Sequence, residues 1–278
     1  MIKQIIYIFI SVLMFSCASH TKTNEKKQES GIFVGDYLIV NEPNTIDDTV
    51  PRDKNNDLKF NPNIDKDSLF QVIIQDIPDT LKGNIEKMYK EGNQMTKEFF
   101  LVMFSMPKSS KKALIENYQN NSIAITELKN EYTKLVPDSL IVEIEFNPEE
   151  RIVIKPASVD LKIYNINSKK RSDEWNIQYG SELLTSMLNK IGWTQDELIR
   201  IKTLLDSANC ISISNGISTS IGFARSGMGK YYYSIHDNDL TNEEVEKIND
   251  GCMYIFYEKN VVLEYGSGAI GSLCFPDE

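Results

Sequence analysis

Two runs of apolar residues between positions 81 and 135 recur every three or four residues, the spacing of side chains on one face of a helix. Pro107 follows the first run and Pro137 the second, and proline stops a helix. The short connection between the runs predicts an antiparallel helical hairpin. The runs consist of Leu81, Ile85, Met88, Met95, Phe99, Val102 and Met106, and of Leu114, Tyr118, Ile125, Leu128, Tyr132 and Leu135.

The methionines and the phenylalanine of the first run have two interpretations. We expect them to face a core, although such a stripe can also form a surface for an apolar ligand or partner. Gly83 and Gly92 each weaken this helix by up to about 1 kcal/mol relative to alanine. Its early turns are therefore the least strongly predicted part of the hairpin.

From Leu140 the hydrophobic period changes to two, the alternation of a strand with one buried and one wet side. Segments 140–146, 152–154 and 159–163 predict a meander of three strands. Hydroxyl and carboxylate pairs that begin at Thr194 and Thr241 are typical of helix starts. The later elements are helices at 183–191, 198–205 and after 241, and strands at 211–214, 219–225, 231–236, 253–257 and 261–265. This pattern predicts an α+β fold: a helical hairpin followed by an antiparallel-rich sheet with packed helices.

The N-terminal part has a different composition. Residues 31–40 are apolar enough for a first strand, and residues 41–66 are rich in Asn, Asp and Pro, which predicts a long loop or a partly disordered segment. Residues 18–30 contain almost nothing apolar and predict a flexible tether.

The first seventeen residues combine a lone Lys3, an apolar stretch from Ile5 to Phe15, and the pair Ser16-Cys17. This stretch resembles the signal of a bacterial lipoprotein of the Bacteroidota type, although Met14 and Phe15 depart from the commonest residues. The resemblance implies cleavage before Cys17, a diacylglyceryl thioether on its sulfur, and a third acyl chain such as palmitate on the new amino terminus. Several acyl chains give stable membrane anchoring without a transmembrane helix. A plain secreted protein is the alternative.

With this resemblance the chain divides into four parts. They are a signal peptide (1–16), a lipidated flexible tether (17–30), an N-terminal region with the helical hairpin (31–136) and a C-terminal α+β region (137–278). Ala18 to Lys22 lacks the acidic run that tends to mark surface export in that group. We therefore expect an anchor in the outer membrane that faces the periplasm.

The net charge of the chain limits the expected partners, and its cysteines predict a disulfide. The formal charge of -10 over 278 residues disfavours nucleic acid and anionic lipid surfaces. No cofactor is indicated, and the lack of a Cys-x-x-Cys pair argues against zinc. An exported chain is expected to form one disulfide among Cys210, Cys252 and Cys274, which the predicted topology brings to one sheet edge. Cys274 is expected to pair with Cys252 or Cys210, with Cys252 slightly favoured.

The same edge contains a possible anion site. Arg225, Ser226 and Lys230 surround a glycine turn that could bind an anion, and a tight turn with solvated cations is the alternative. His236 beside Cys252, or Ser226 beside Lys230, could be drawn as base and nucleophile, but neither pair has a local catalytic motif. Glu149 and Glu150 are adjacent in a predicted turn and should point apart. No residue is therefore assigned a catalytic role.

Several Asp-Ser or Asp-Thr pairs precede an aliphatic residue, at Thr49, Ser68, Thr80 and Ser139. The recurrence is similar to the O-glycosylation pattern of exported Bacteroidota proteins. Helix capping by the same residue types is the alternative.

These features favour non-enzymatic binding of an envelope protein or a small ligand by a lipid-anchored protein. A periplasmic hydrolase and an immunity or inhibitor lipoprotein are the alternatives.

Overall fold

The computed structural model describes residues 31–34, 37–40, 59–266 and 274–276. Cys17, the tether and Thr49 lie outside these residues. The chain forms two units, 1–49 and 50–278. In the first unit, β1 (Gly31–Val34) pairs antiparallel with β2 (Tyr37–Val40), so two strands occupy the segment where we expected one.

The second unit combines helices with one large sheet, which confirms the α+β class. Its described helices are α1 (Lys66–Gln75), α2 (Asp79–Glu91), α3 (Gln94–Phe104), α4 (Lys111–Leu135), α5 (Glu182–Ile191), α6 (Gln195–Ser207) and α7 (Asn242–Ile248). Its strands are β3 (Leu140–Asn147), β4 (Ser158–Asn165), β5 (Arg171–Gln178), β6 (Ser212–Ser214), β7 (Thr219–Ser226), β8 (Gly229–Ile235), β9 (Tyr254–Glu258) and β10 (Val261–Gly266). Among the described residues, no helix is both long and apolar enough to cross a membrane.

The sheet has eight strands in the order β5-β4-β3-β6-β7-β8-β10-β9, and every neighbouring pair is antiparallel. Because β10 lies between β8 and β9, those two strands run in the same direction. The starts of β8 and β9 and the end of β10 therefore lie at one end of the sheet, as the sequence predicted.

One face of the sheet packs against α4, α5 and α6, and the core lies between them. Alternate strand residues such as Val142, Ile144 and Ile213 are fully buried there against Leu128 and Tyr132 of α4. The second predicted helix is thus confirmed as a core element. The alternation also places the remaining strand residues on the opposite face of the sheet.

The first predicted helix is divided, because Gly92 ends α2 in an extended conformation and the Asn93 side chain caps α3 by accepting from the Thr96 amide. Because of this break, the residues of α3 that face the core are not those that the continuous helical period predicts. Phe100 is buried and packs at an angle against the rings of Phe70 on α1 and Tyr89 on α2, whereas Met95 is 70% and Phe99 56% exposed.

The meander also differs from the expected one. Residues 152–154 form only an isolated bridge, Val153 to Phe60, and the third strand is β5. β5 has no apolar alternation because it is an edge strand with only Ile177 buried. Lys169, with a φ of 55°, lies in the connection between β4 and β5.

Candidate functional site

The face of the sheet that points away from α4 to α6 has a row of side chains running across seven strands. Their register is continuous, each residue lying directly opposite the next on the neighbouring strand. We call this set the inner row: Asp160, Glu145, Ser212, Gly222, Tyr232, Glu264 and Tyr254, from β4 to β9. It contains three carboxyl groups and two tyrosines, yet Glu145, Asp160, Ser212 and Tyr232 are all buried.

A second row runs beside the first on the same face. We call it the outer row: Asp173, Lys162, Glu143, Ser214, Ser220, Ser234, Val262 and Phe256, from β5 to β9. Lys162 Nζ lies 3.0 Å from Glu143 Oε2, and both side chains are 29% exposed. Ser214 and Ser220 are also partly exposed. The outer row therefore combines a charged pair with two serines that solvent reaches, whereas Ser234 is buried.

Glu145 is the centre of the inner row. Its Oε1 accepts from Arg225 at 2.7 Å, and its Oε2 accepts from Lys230 Nζ at 2.9 Å. Lys230 is 4% exposed and also donates to Ser212 Oγ at 3.0 Å. β8 lies three strands from β3, about 14 Å away on a flat sheet, so the Lys230 side chain extends over β7 and β6 to reach the carboxylate.

Gly222 on β7 makes room for this reach. A Cβ at this position would lie 2.1 Å from Ser212 Oγ and 3.3 Å from two carbons of Lys230. Real Cβ atoms do not approach a neighbour as closely as 2.1 Å, so a larger residue would displace the Ser212 hydroxyl and crowd the Lys230 side chain. The glycine is therefore required by the close approach of two side chains, and not by its backbone angles.

The pKa values in this cluster follow from burial and charge. Burial alone would raise the pKa of Glu145, but Lys230 and Arg225 hold it below its ordinary value. Burial alone would lower the pKa of Lys230, yet Tyr232, Glu145 and Glu143 raise it. Both groups therefore stay charged at neutral pH.

This geometry bears on the expected anion site, which stays a prediction. Arg225 and Lys230 are a cross-strand pair whose nitrogens both meet Glu145, and the Ser226 hydroxyl donates to the carbonyl of Ser109 at 3.2 Å. The two cations already have an anionic partner within the protein. The alternative of solvated cations does not hold for Lys230 either, because its ammonium is buried.

Asp160 anchors the other end of the inner row. Its Oδ1 accepts from Asn147 at 2.8 Å and from the backbone amide of Asn176 at 2.7 Å. Asn176 has a φ of 57°, at an irregularity where β5 loses its register with β4. Next to this carboxylate, on the same face, Ser158 is completely buried and its hydroxyl has no partner among the described residues.

The cysteines separate into a pair and a single thiol. Cys252 and Cys274 are bonded, with Cα atoms 4.3 Å apart, which is the pairing that the sequence slightly favoured. Cys210 is buried with a free thiol, which donates to the Ala208 carbonyl at 3.3 Å, and burial raises its pKa to about 12. Asn117 of α4 approaches the same sulfur at 4.0 Å.

The catalytic pairs considered from sequence are not assembled. Cys252 has no thiol because it is bonded to Cys274, and the Lys230 ammonium is engaged by Glu145 rather than by Ser226. Burial lowers the pKa of the His236 imidazole. Glu149 and Glu150 are exposed at a turn.

The glycosylation candidates within the described residues are reachable. Ser68 and Thr80 are exposed in the first turns of α1 and α2, and Ser139 is partly exposed in the turn before β3. The capping alternative also has support, because Asp65 accepts from the amides of Asp67 and Ser68. Whether the hydroxyls are modified stays a prediction.

The sequence predicts the strands of the inner row but not the burial of their polar face. The alternation of β3 predicts a wet side for Glu143 and Glu145, and no pattern singles out Asp160, Ser212, Gly222 or Glu264. One signal was available: Gly222 interrupts an apolar stretch of β7, and Lys230 precedes the apolar stretch of β8. A cation and a glycine within such strands are typical of close packing between side chains.

No protein-family model matches this chain, and no curated protein or solved structure matches it at a significant level.

Proposed function

We propose that the protein is an exported, lipid-anchored binding protein of the cell envelope, and that its ligand binds on the polar face of the sheet. The signal sequence that ends at Cys17 supports the proposed location in the cell envelope. The inner and outer rows support the site.

One observation supports the proposed position of the binding site most strongly. The polar face holds buried charged groups whose desolvation lowers stability, whereas the opposite face of the same sheet is filled with apolar side chains. If the polar face served only for packing, apolar side chains could fill it, as they fill the opposite face. Pre-oriented charges beside partly exposed hydroxyls are the arrangement that a site for a polar ligand requires.

Ser220 offers a direct test, because it lies in the middle of the outer row between Ser214 and Ser234. We expect Ser220→Trp to fill the space above the row and to abolish ligand retention. The full-length protein would be extracted from its own envelope in detergent, and native mass spectrometry would detect a copurifying ligand.

Ser207→Trp is the matched control, since Ser207 is exposed at the end of α6 and should retain the ligand. Unfolding in urea would verify that both variants fold. A ligand that stays bound to Ser220→Trp, or a wild-type protein without any copurifying mass, would contradict the proposed site.

The anchor is tested separately with Cys17→Ala. This variant lacks the sulfur that receives the diacylglyceryl group, so we expect it to leave the membrane fraction and to lose the acyl mass. Fractionation and intact-mass measurement would follow both. Membrane association of the variant as tight as that of the wild type, with no acyl mass on either, would contradict the lipoprotein assignment.

A further inference from the structure

Glu264 differs from the other carboxyl groups of the inner row. Asp160 accepts two hydrogen bonds and Glu145 is paired with two cations. The Glu264 side chain is partly exposed, and its carboxyl has no hydrogen bond or ion pair with any residue that the structure describes. Partial burial without a partner raises the free energy of the ionised carboxylate, and the remaining exposure lets a ligand reach it.

Two tyrosines flank this carboxyl. β10 lies between β8 and β9, and Glu264 is directly opposite Tyr232 on one strand and Tyr254 on the other. Because the three residues are in register, their side chains project from the same face. Tyrosine rings attract cations, and the Lys230 ammonium already lies 4.5 Å from the Tyr232 ring centroid. The Tyr254 ring offers the same kind of surface on the other side.

We propose that Glu264, between Tyr232 and Tyr254, binds the ammonium group of a small organic cation. This inference rests on the proposed function and names the ligand class for that site. The carboxylate supplies the opposite charge, the aromatic surfaces suit an alkylated nitrogen, and the hydroxyls of the outer row suit polar groups on the remainder of the ligand.

The surrounding charges favour a cation over an anion. Arg225 and Lys230 share Glu145, and Lys162 is paired with Glu143, so these three cations already have carboxylate partners. Glu264 is therefore left as an anion without a cation in ion-pair distance among the described residues. A metal ion is disfavoured, because no group of three or more His, Cys, Asp or Glu side chains within the described part of the chain could hold it.

Binding should depend on pH near neutrality. Burial raises the pKa of Glu264 to about 7, the charge of Lys230 opposes this rise, and the charge of Glu143 adds to it. The other titratable groups that act on this region are Tyr232 on β8, and Tyr254 and Asp250 in and before β9. Only the ionised carboxyl attracts a cation, so affinity should rise as the pH increases through 7.

The test uses choline as the probe and 3,3-dimethyl-1-butanol as its uncharged isostere. Titration calorimetry on the full-length protein in detergent should detect choline at pH 8 and at least ~10-fold weaker binding at pH 5.5, since the ionised fraction limits affinity. The isostere should bind at least ~10-fold more weakly than choline at pH 8. Glu264→Gln should remove choline binding, and Glu258→Gln, an exposed neighbour on β9, should leave it unchanged.

Stability distinguishes loss of the site from loss of the fold. Ionisation of Glu264 is disfavoured in the folded state, so Glu264→Gln should unfold at a higher urea concentration than the wild type at pH 8 and at a similar one at pH 5. Equal binding of the isostere, binding of acetate instead of choline, or no binding of any probe would overturn the inference. If Ser220→Trp still removes the native ligand in any of those cases, the proposed function stands without it.

Discussion

Glu145→Gln is expected to lower the free energy of unfolding by about 3 kcal/mol or more, because it leaves a buried ammonium without its counter-charge. Lys230 is 4% exposed and Glu145 is 5% exposed, so neither charge can turn to solvent without opening the sheet. The amide keeps the size of the carboxylate, which separates the loss of charge from the loss of packing. Urea unfolding followed by circular dichroism gives the difference.

Two further variants make the experiment specific. Glu149→Gln changes the same residue type at an exposed turn and should alter stability by less than about 0.5 kcal/mol. Adding Lys230→Met to Glu145→Gln removes the unpaired cation and should restore part of the loss, which a double-mutant cycle measures. Equal stability of Glu145→Gln and the wild type would show that the pair does not hold the sheet together.

The pH dependence follows from the lowered pKa of Glu145. A carboxyl group whose pKa is depressed in the folded state contributes stability above its unfolded pKa, whose ordinary value is 4.5. That contribution is lost as the pH falls below this value and the folded carboxylate becomes protonated. We therefore expect the wild type to lose stability in acid more steeply than Glu145→Gln.

Much of this fold could be predicted from local patterns. The period of α4 and the alternation of β3 depend on residues close in sequence, and Leu128 and Val142 are buried as the patterns indicated. β5 was missed because an edge strand needs little apolar surface, so Arg171 to Gln178 has no alternation to detect. The division of the first helix at Gly92 depends on caps, whose effect on phase is difficult to read from periodicity alone.

The candidate site could not be predicted in the same way. Its register joins Glu145, Ser212, Gly222, Tyr232 and Glu264 across five strands, and each step depends on which strands are neighbours. Alternation says which residues share a face of one strand, but it does not say what covers that face. A glutamate that alternates with apolar residues is therefore expected to be wet, even where a lysine three strands away buries it.

The disulfide at the end of the sheet gives the second large effect. Cys274 lies 22 residues after Cys252, and its bond closes a loop that contains β9 and β10. In the chain-entropy account, closure of a loop of this length stabilises the folded state by about 3 kcal/mol. The bond also holds the following residue in place: the Phe275 amide donates to the Cys252 carbonyl at 2.8 Å, and its ring packs near Tyr231 and Tyr265.

We therefore expect the double variant Cys252→Ser with Cys274→Ser to lose about 3 kcal/mol of unfolding free energy. Reduction of the wild type should produce a similar loss. Cys210→Ala is the control: it removes the buried free thiol and keeps the disulfide, so the variant should remain sensitive to reduction. Non-reducing peptide mapping of the exported protein should recover the peptides of Cys252 and Cys274 joined. Three free thiols at Cys210, Cys252 and Cys274, or equal stability with and without reductant, would contradict the pairing.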